Sequence, residues 1–370
     1  MNVLDLTREL LRFNTINPPG EEEACVRHLA RMLEAGGFTI EEHAFAPRRT
    51  SLVARLGNGG TPPICFTGHI DTVPLGAVPW TRDAFAGETS SGRLYGRGST
   101  DMKSGVAAFV VAALAAAPRL TSTPGVVLVI TAGEETACEG ARHLASAGTL
   151  PKAGGIVVAE PTGNAACVGH RGALWLEACT SGVTAHGSMP ARGVNAVYKA
   201  ARAALMLERY EFGAAPHPVL GQPTLNVGYL RGGLNINSVP DAALIGIDIR
   251  TIPSVEHAAL RDHLASYLGS EVTLSTLADA DCVWTNPDDP WARQVTEVAQ
   301  RVAGGPGDAR AAPYLTDASA LTPAMGNPPT VIIGPGETEL AHQTDEYCLI
   351  ARLEQSVEIY AELIRRWCRL

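Results

Sequence analysis

Apolar positions along the chain fall into two kinds of pattern. Four short runs, 64–67, 126–131, 155–159 and 330–333, are almost continuously apolar and rich in Val and Ile. Strands covered on both faces of their sheet read this way, because neither face meets water. Around them lie segments with helical periodicity, at 4–14, 22–35, 103–117, 139–147, 291–303 and 353–366. Strands alternating with helices predict an α/β domain built on a mostly parallel sheet covered by helices.

The middle of the chain reads differently. A strand at 173–180, a helix at 194–208, strands at 224–230 and 243–250, a helix at 255–268 and a strand at 271–277 give the order βαββαβ. That is the ferredoxin-like, split βαβ arrangement. Leu174, Leu176 and Ala178 alternate with Trp175, Glu177 and Cys179, as in a sheet with helices on one face only. The pattern predicts a lid of residues 170–283 inserted into a domain made of 1–169 and 284–370, with hinges near 167–171 and 279–287.

Composition narrows the class. With 370 residues, 46% hydrophobic and 18% charged, the chain has material for two packed domains. Its longest greasy run, 106–117, falls short of the ~18 residues that span a bilayer. The opening MNVLDLTREL lacks the basic-then-apolar order of a signal peptide. A net charge of −9 argues against nucleic acid or an anionic membrane as partner. Eight scattered cysteines without a C-x-x-C pair fit reduced thiols in a cytoplasmic protein.

The chemistry lies in the polar residues just beyond each apolar run. Gly68-His69-Ile70-Asp71 succeeds the first, Gly133-Glu134-Glu135 the second, and Glu160-Pro161 the third; beyond the fourth come Gly-Pro-Gly and then His342. Asp101 stands just before the Ala-rich helix. Open α/β sheets bind ligands beyond the carboxyl ends of their strands, so His69, Asp101, Glu135, Glu160 and His342 are expected to converge. Each alone has a bland alternative. Asp101 serves equally as an N-cap, Glu160 as a turn residue, His69 as a hydrogen-bonded histidine at the core edge, and Glu134-Glu135 as a solvated first turn of a helix. Together they demand more, since carboxylates gathered at one buried edge repel unless protonated or balanced by cations. Two divalent ions balance three ionised carboxylates and one bridging hydroxide. Mixed His and carboxylate ligands suit zinc, with cobalt and manganese as alternatives.

The stretches TGHIDTVP (67–74), GRGSTDMKSG (96–105), ITAGEET (130–136), VVAEPTG (157–163), TAHGSMPARGVNA (184–196), NINSVPDA (235–242), IDIR (247–250), TDAS (316–319) and GPGETELAHQTDE (334–346) run through nearly the whole chain. In that order they resemble the co-catalytic zinc amidohydrolases and exopeptidases, the family of acetylornithine deacetylase, succinyl-diaminopimelate desuccinylase, aminoacylase and glutamate carboxypeptidase. The resemblance implies that Asp101 bridges two ions, with His69 and Glu160 on one and Glu135 and His342 on the other. It implies that Glu134 is the general base and that Asp71 orients His69. It further implies a homodimer formed through the inserted domain, with His186 steadying an oxyanion in its own or the neighbouring site. Asn237 and Arg250 are implied to contact substrate. A surface-loop histidine is the alternative for His186, and a structural ion pair the alternative for Arg250. Two departures are visible: Ser104-Gly105 where the family often has Gly-Gly, and Leu315 where Gly is common. Asp317 accordingly either meets substrate or caps a helix.

The implied reaction is amide hydrolysis of an N-acyl amino acid by a metal-bridged hydroxide, with a water pKa lowered toward ~7 and Glu134 moving the proton. HGSMPARGVNA and AHQTDEY lie nearer the deacetylase and desuccinylase branch; a carboxypeptidase or dipeptidase of the same family is the alternative. A serine hydrolase would need G-x-S-x-G, which is absent from the sequence. A dinucleotide enzyme would need G-x-G-x-x-G, whereas Gly96-x-Gly98 runs on to Asp101. A non-catalytic binding protein on this fold is expected to have lost ligands, and all five are present.

Overall fold

A computed structural model describes residues 2–305 and 307–370. They form two compact units, one holding residues up to Gly169 together with Trp284–Leu370, the other His170–Val283.

In the first unit the four apolar runs sit side by side. The sheet runs Thr39–Ala46, Arg49–Leu56, Val126–Thr131, Ile64–His69, Gly155–Val158, Thr330–Ile332 and Cys167–His170. Its centre is parallel, with Ile64 opposite Val126 and Gly155, His69 opposite Thr131, and Thr330 opposite Ile156. Antiparallel strands flank this centre on both sides. The hairpin Thr39–Ala46 and Arg49–Leu56 was not anticipated. Its first strand is a sheet edge carrying Glu41, Glu42 and His43, so it lacks the Val and Ile run that marks the buried strands. The helix Ala318–Ala324 was also missed, being only 7 residues long and containing Pro323. Elsewhere the expected helices shift by a few residues. Val3–Leu11 starts where the Asn2 side chain accepts from Leu4 N at 2.9 Å, and the last helix is Ile350–Cys368.

The helix Lys103–Ala116 is buried nearly all round, which explains a composition of Gly, Ala and Val with no polar face. It packs on the Ile64–His69 strand and against helices Val3–Leu11 and Ile350–Cys368. Phe66, Phe109 and Tyr360 meet there with ring centroids 5.3 and 6.1 Å apart, and the Tyr360 hydroxyl donates to Ile333 O at 2.6 Å. At the helix start, a Cβ on Gly105 would lie 2.1 Å from the Ala159 carbonyl oxygen. The absent side chain lets the first turn rest on the backbone just before Glu160.

The second unit is a four-stranded antiparallel sheet in the order Thr224–Gly232, Ala242–Thr251, Gly172–Ser181, Val272–Ala280. Leu174 faces Ile249 across the strands, Leu176 faces Ile247 and Ala178 faces Ile245. These pairs form one core with Ala200 and Leu207 of helix Ala196–Glu208 and Leu260 and Leu264 of helix His257–Leu268. Of the segments expected as hinges, the first is mostly strand, Cys167–His170 leading almost directly into Gly172–Ser181, and the second alternates strand with irregular backbone, Val272–Ala280 being followed by Val283–Trp284. Gly172 packs so tightly that a Cβ would meet Thr251 Oγ1 at 2.3 Å and Cys282 N at 2.8 Å.

Alanine is the better helix former by about 1 kcal/mol, yet Gly105→Ala is expected to destabilise. Its Cβ strikes a backbone oxygen that has no room to move, so overpacking should lower stability by about 1–3 kcal/mol. The midpoint of urea unfolding measures this; a rise in the midpoint would refute the close approach.

Candidate metal centre

The parallel strands deliver their polar successors to one edge. His69 is the last residue of its strand, Glu134 and Glu135 lie in the turn after Val126–Thr131, and Glu160 follows Gly155–Val158 by two residues. His342 comes after the short turn Thr338–Leu340, and Asp101 stands two residues before the buried helix. Asp101 lies between the two histidines. Its Oδ1 is 3.2 Å from His69 Nε2 and its Oδ2 is 3.3 Å from His342 Nε2. Each histidine has a glutamate of its own: Glu160 Oε1 is 3.8 Å from His69 Nε2, and Glu135 Oε1 is 3.2 Å from His342 Nε2.

Two further acids hold these loops. Asp71 is fully buried, and its Oδ1 accepts from Glu134 N at 3.1 Å while Oδ2 accepts from Glu135 N at 3.2 Å and Asn17 Nδ2 at 2.9 Å. It also sits behind His69, whose Nδ1 is 3.0 Å from the Asp71 carbonyl and 3.5 Å from its carboxylate. Asp71 therefore sets the pitch of the Glu134-Glu135 turn as well as the imidazole. Glu346, equally buried, was not singled out by the sequence. Its Oε1 accepts from the main-chain N–H of Gly98, Thr100 and Asp101 at 3.1, 2.7 and 3.1 Å, and its Oε2 accepts from Arg97 NH1 at 2.5 Å. Arg97 in turn donates to Gln343 O and Pro74 O. One ion pair thus ties together the loops that follow His69, precede Asp101 and follow His342.

The electrostatics describe an edge with too much negative charge. Burial pushes Glu160, Glu134 and Glu135 upward, and neighbouring carboxylates add to the push. Burial and the charge of Asp101 hold Glu346 at about 7 against the pull of Arg97. Asp101 goes the other way: bonds from His342 and His69 outweigh its burial and hold it below the usual carboxylate range. Those bonds to Asp101 and Glu135 raise His342 to about 10. Buried carboxylates competing for protons, set around imidazole nitrogens, form a donor set that fits divalent cations.

Beside this set, Asp317 lies 2% exposed, with Oδ2 accepting from the Thr131 hydroxyl at 2.5 Å and no side-chain bond to the helix it precedes. Burial raises its carboxyl to about 6. The other expected site residues belong to the inserted unit. His186 and Asn237 are exposed there, on loops joined by Gly187 N donating to Asn237 O at 2.7 Å. Arg250 pairs with Asp248 on its own strand at 3.0 Å, and Asp248 also accepts from Trp175 Nε1 at 2.9 Å. The ion-pair alternative for Arg250 is therefore present in the structure.

The sequence profile of peptidase family M20/M25/M40 matches residues 65–366. The chain belongs to that family. This places it among metal-dependent hydrolases. The M20 chain is 30% identical to acetylornithine deacetylase of Proteus mirabilis over 387 aligned positions, covering 99% of this chain and 96% of that protein. It is 29% identical over 351 positions to a protein of Staphylococcus epidermidis named probable succinyl-diaminopimelate desuccinylase, covering 86% of each. Among solved structures, the M20 family metallo-carboxypeptidase Sso-CP2 of Sulfolobus solfataricus shares the fold, with a TM-score of 0.82 at 17% identity over 100% of both chains.

Because Glu346 holds the Asp101 loop of this M20 member, Glu346→Gln should loosen metal retention. Removing the charge behind four hydrogen bonds is expected to weaken metal affinity about tenfold or more. Competition of the zinc-loaded protein against a chelator measures it. Parent-like retention would show that Asp101 is positioned without Glu346.

Proposed function

We propose that this chain is a dinuclear amidohydrolase that splits an N-acyl amino acid into a carboxylate and a free amine. The observation carrying this reading is Asp101, whose two oxygens face two different histidines, each backed by its own glutamate. His69, Glu160 and Asp101 would hold one ion, and Asp101, Glu135 and His342 the other, with zinc the best match and cobalt or manganese alternatives. When bound, the ions polarise the amide carbonyl and lower the pKa of a water.

The chain's own groups supply the rest. Glu134 takes a proton from water as the water oxygen attacks the carbonyl carbon. It returns that proton to the amide nitrogen as the C–N bond breaks, so the oxygen ends in the carboxylate product. The oxyanion needs a donor, a role for His186. Ser188 N–H donates to its Nδ1 at 3.2 Å, so the neutral ring carries its proton on Nε2. Asn237 and Arg250 are assigned to substrate contact, Arg250 to the substrate carboxylate by sharing its guanidinium with Asp248. Deacetylase and desuccinylase relatives at 30% and 29% identity support an N-acyl amino acid as substrate.

We assign a homodimer through the inserted unit. Tyr198 and Leu205 are exposed on helix Ala196–Glu208, which packs beside the edge strand Thr224–Gly232. Leu234 and Ile236, in the loop following that strand, are fully exposed. A cytoplasmic location agrees with eight free thiols, and among the described residues no helix is long and apolar enough to cross a membrane.

Metal-depleted protein should hydrolyse N-acetyl-L-ornithine only after zinc or cobalt is restored. Release of free amino acid from dipeptides instead would move the chain to the peptidase branch. Glu134→Ala should keep its metals and lose about 10²–10⁴-fold in kcat; a loss below about tenfold removes Glu134 as the base. Mixed dimers of His186→Ala and Glu134→Ala chains should regain activity if His186 serves its neighbour. No recovery places His186 in its own protomer or outside the reaction.

A further inference from the structure

Behind Glu134 lies a second group of ligand atoms that the dinuclear set does not use. Single donor atoms of Glu134, Cys138 and Asp317 all lie within 4.8 Å of one another. Cys138 and Asp317 are each 2% exposed, and Cys138 Sγ reaches Glu134 Oε1 at 3.8 Å. Asp317 spends Oδ2 on the Thr131 hydroxyl, while its buried Oδ1 is left without a hydrogen bond of ordinary geometry, although the Cys138 thiol lies near enough to draw the Asp317 carboxyl downward. A buried carboxylate oxygen without such a bond is costly and needs an explanation in a functional site. The backbone turns through left-handed Ala137 and Cys138, at φ 68° and 58°, in the segment that carries the thiol. Glu134 itself is half buried.

We propose that Glu134, Cys138 and Asp317 form a third, inhibitory metal site for soft divalent ions, cadmium or surplus zinc. The dinuclear set offers only nitrogen and oxygen, whereas this one adds sulfur, and thiolate ligands select softer ions. The buried thiol holds its proton tightly when no ion is there. An entering ion replaces that proton, which leaves to solvent, and the sulfur becomes a thiolate ligand. Asp317 Oδ1 supplies the second bond and the Glu134 carboxylate the third. A carboxylate so engaged no longer accepts the proton of water, and turnover stops. This last step rests on the reading of Glu134 as the base.

The test titrates the zinc-loaded enzyme with cadmium while following three signals. These are the ultraviolet charge-transfer band of a cadmium–thiolate bond, the zinc still bound, and the initial hydrolysis rate. The expected result is a band and a rate loss that saturate together near one cadmium per chain, with zinc retained. Cys138→Ser should abolish both, and Asp317→Asn should weaken cadmium binding about tenfold or more while leaving the thiol in place. A band that survives in Cys138→Ser, no band at all, or inhibition that tracks zinc release overturns the site. A band dependent on Cys138 with turnover intact keeps the site and overturns Glu134 as the base, so the two failures are told apart.

Discussion

Asp101 sits between two imidazoles, and much of the first unit is arranged to keep it there. A carboxylate placed at a crowded, mostly buried edge is unstable as an anion unless cationic or hydrogen-bonding partners face both of its oxygens. His69 and His342 do this at 3.2 and 3.3 Å. The same arrangement lets Asp101 give up its proton readily, as Asp71 behind His69 also does, while Glu160, Glu135 and Glu134 are pushed the other way. The asymmetry suits the shared-ligand role proposed for Asp101. It stays ionised, and the acids around it become ionised fully only when further positive charge arrives.

That placement depends on main-chain hydrogen bonds more than on side-chain contacts. Glu346 gathers three N–H groups of one loop, and Asp71 gathers two. Charge-assisted bonds of this kind are about twice as strong as neutral ones. They fix the loops at the strand ends without stiffening the side chains that face the ligand. The two acids thus do for irregular backbone what strand pairing does for the sheet beneath it.

How much of the molecule was legible depends on where each signal lies. Continuous Val and Ile mark strands buried on two faces, so the parallel centre and the cluster of acids and histidines at its ends could be read from local sequence. Leu174, Leu176 and Ala178 likewise announce a one-sided sheet. The hairpin Thr39–Ala46 and Arg49–Leu56 was not legible because its edge strand carries Glu41, Glu42 and His43 in place of an apolar run, with Glu42 exposed, and hydrophobic pattern is silent there. Glu346 was hidden for another reason. Three of its four partners are backbone groups 245 to 248 residues away, and main-chain N–H groups have no letter in a sequence; the fourth, Arg97, is 249 residues away. Arg250 could have been read more cautiously, since Asp248 is two positions back and shares its face of the strand.

Those long separations also bear on the order in which the centre is made. During synthesis His69, Asp101, Glu135 and Glu160 all emerge well before the loop that carries His342 and Glu346. Until that loop arrives, the acids of the edge lack one of their two histidines, and the Asp101 loop lacks the carboxylate that holds its N–H groups. Closing contacts over so long a stretch adds a loop-closure entropy that grows slowly with length, about 0.6 kcal/mol for each doubling. The final helix, Ile350–Cys368, packs on the buried helix Lys103–Ala116 and so brings the missing loop home as it docks. The acid edge is therefore complete only once the helix Ile350–Cys368 has docked, however early the strands that carry most of its residues have formed.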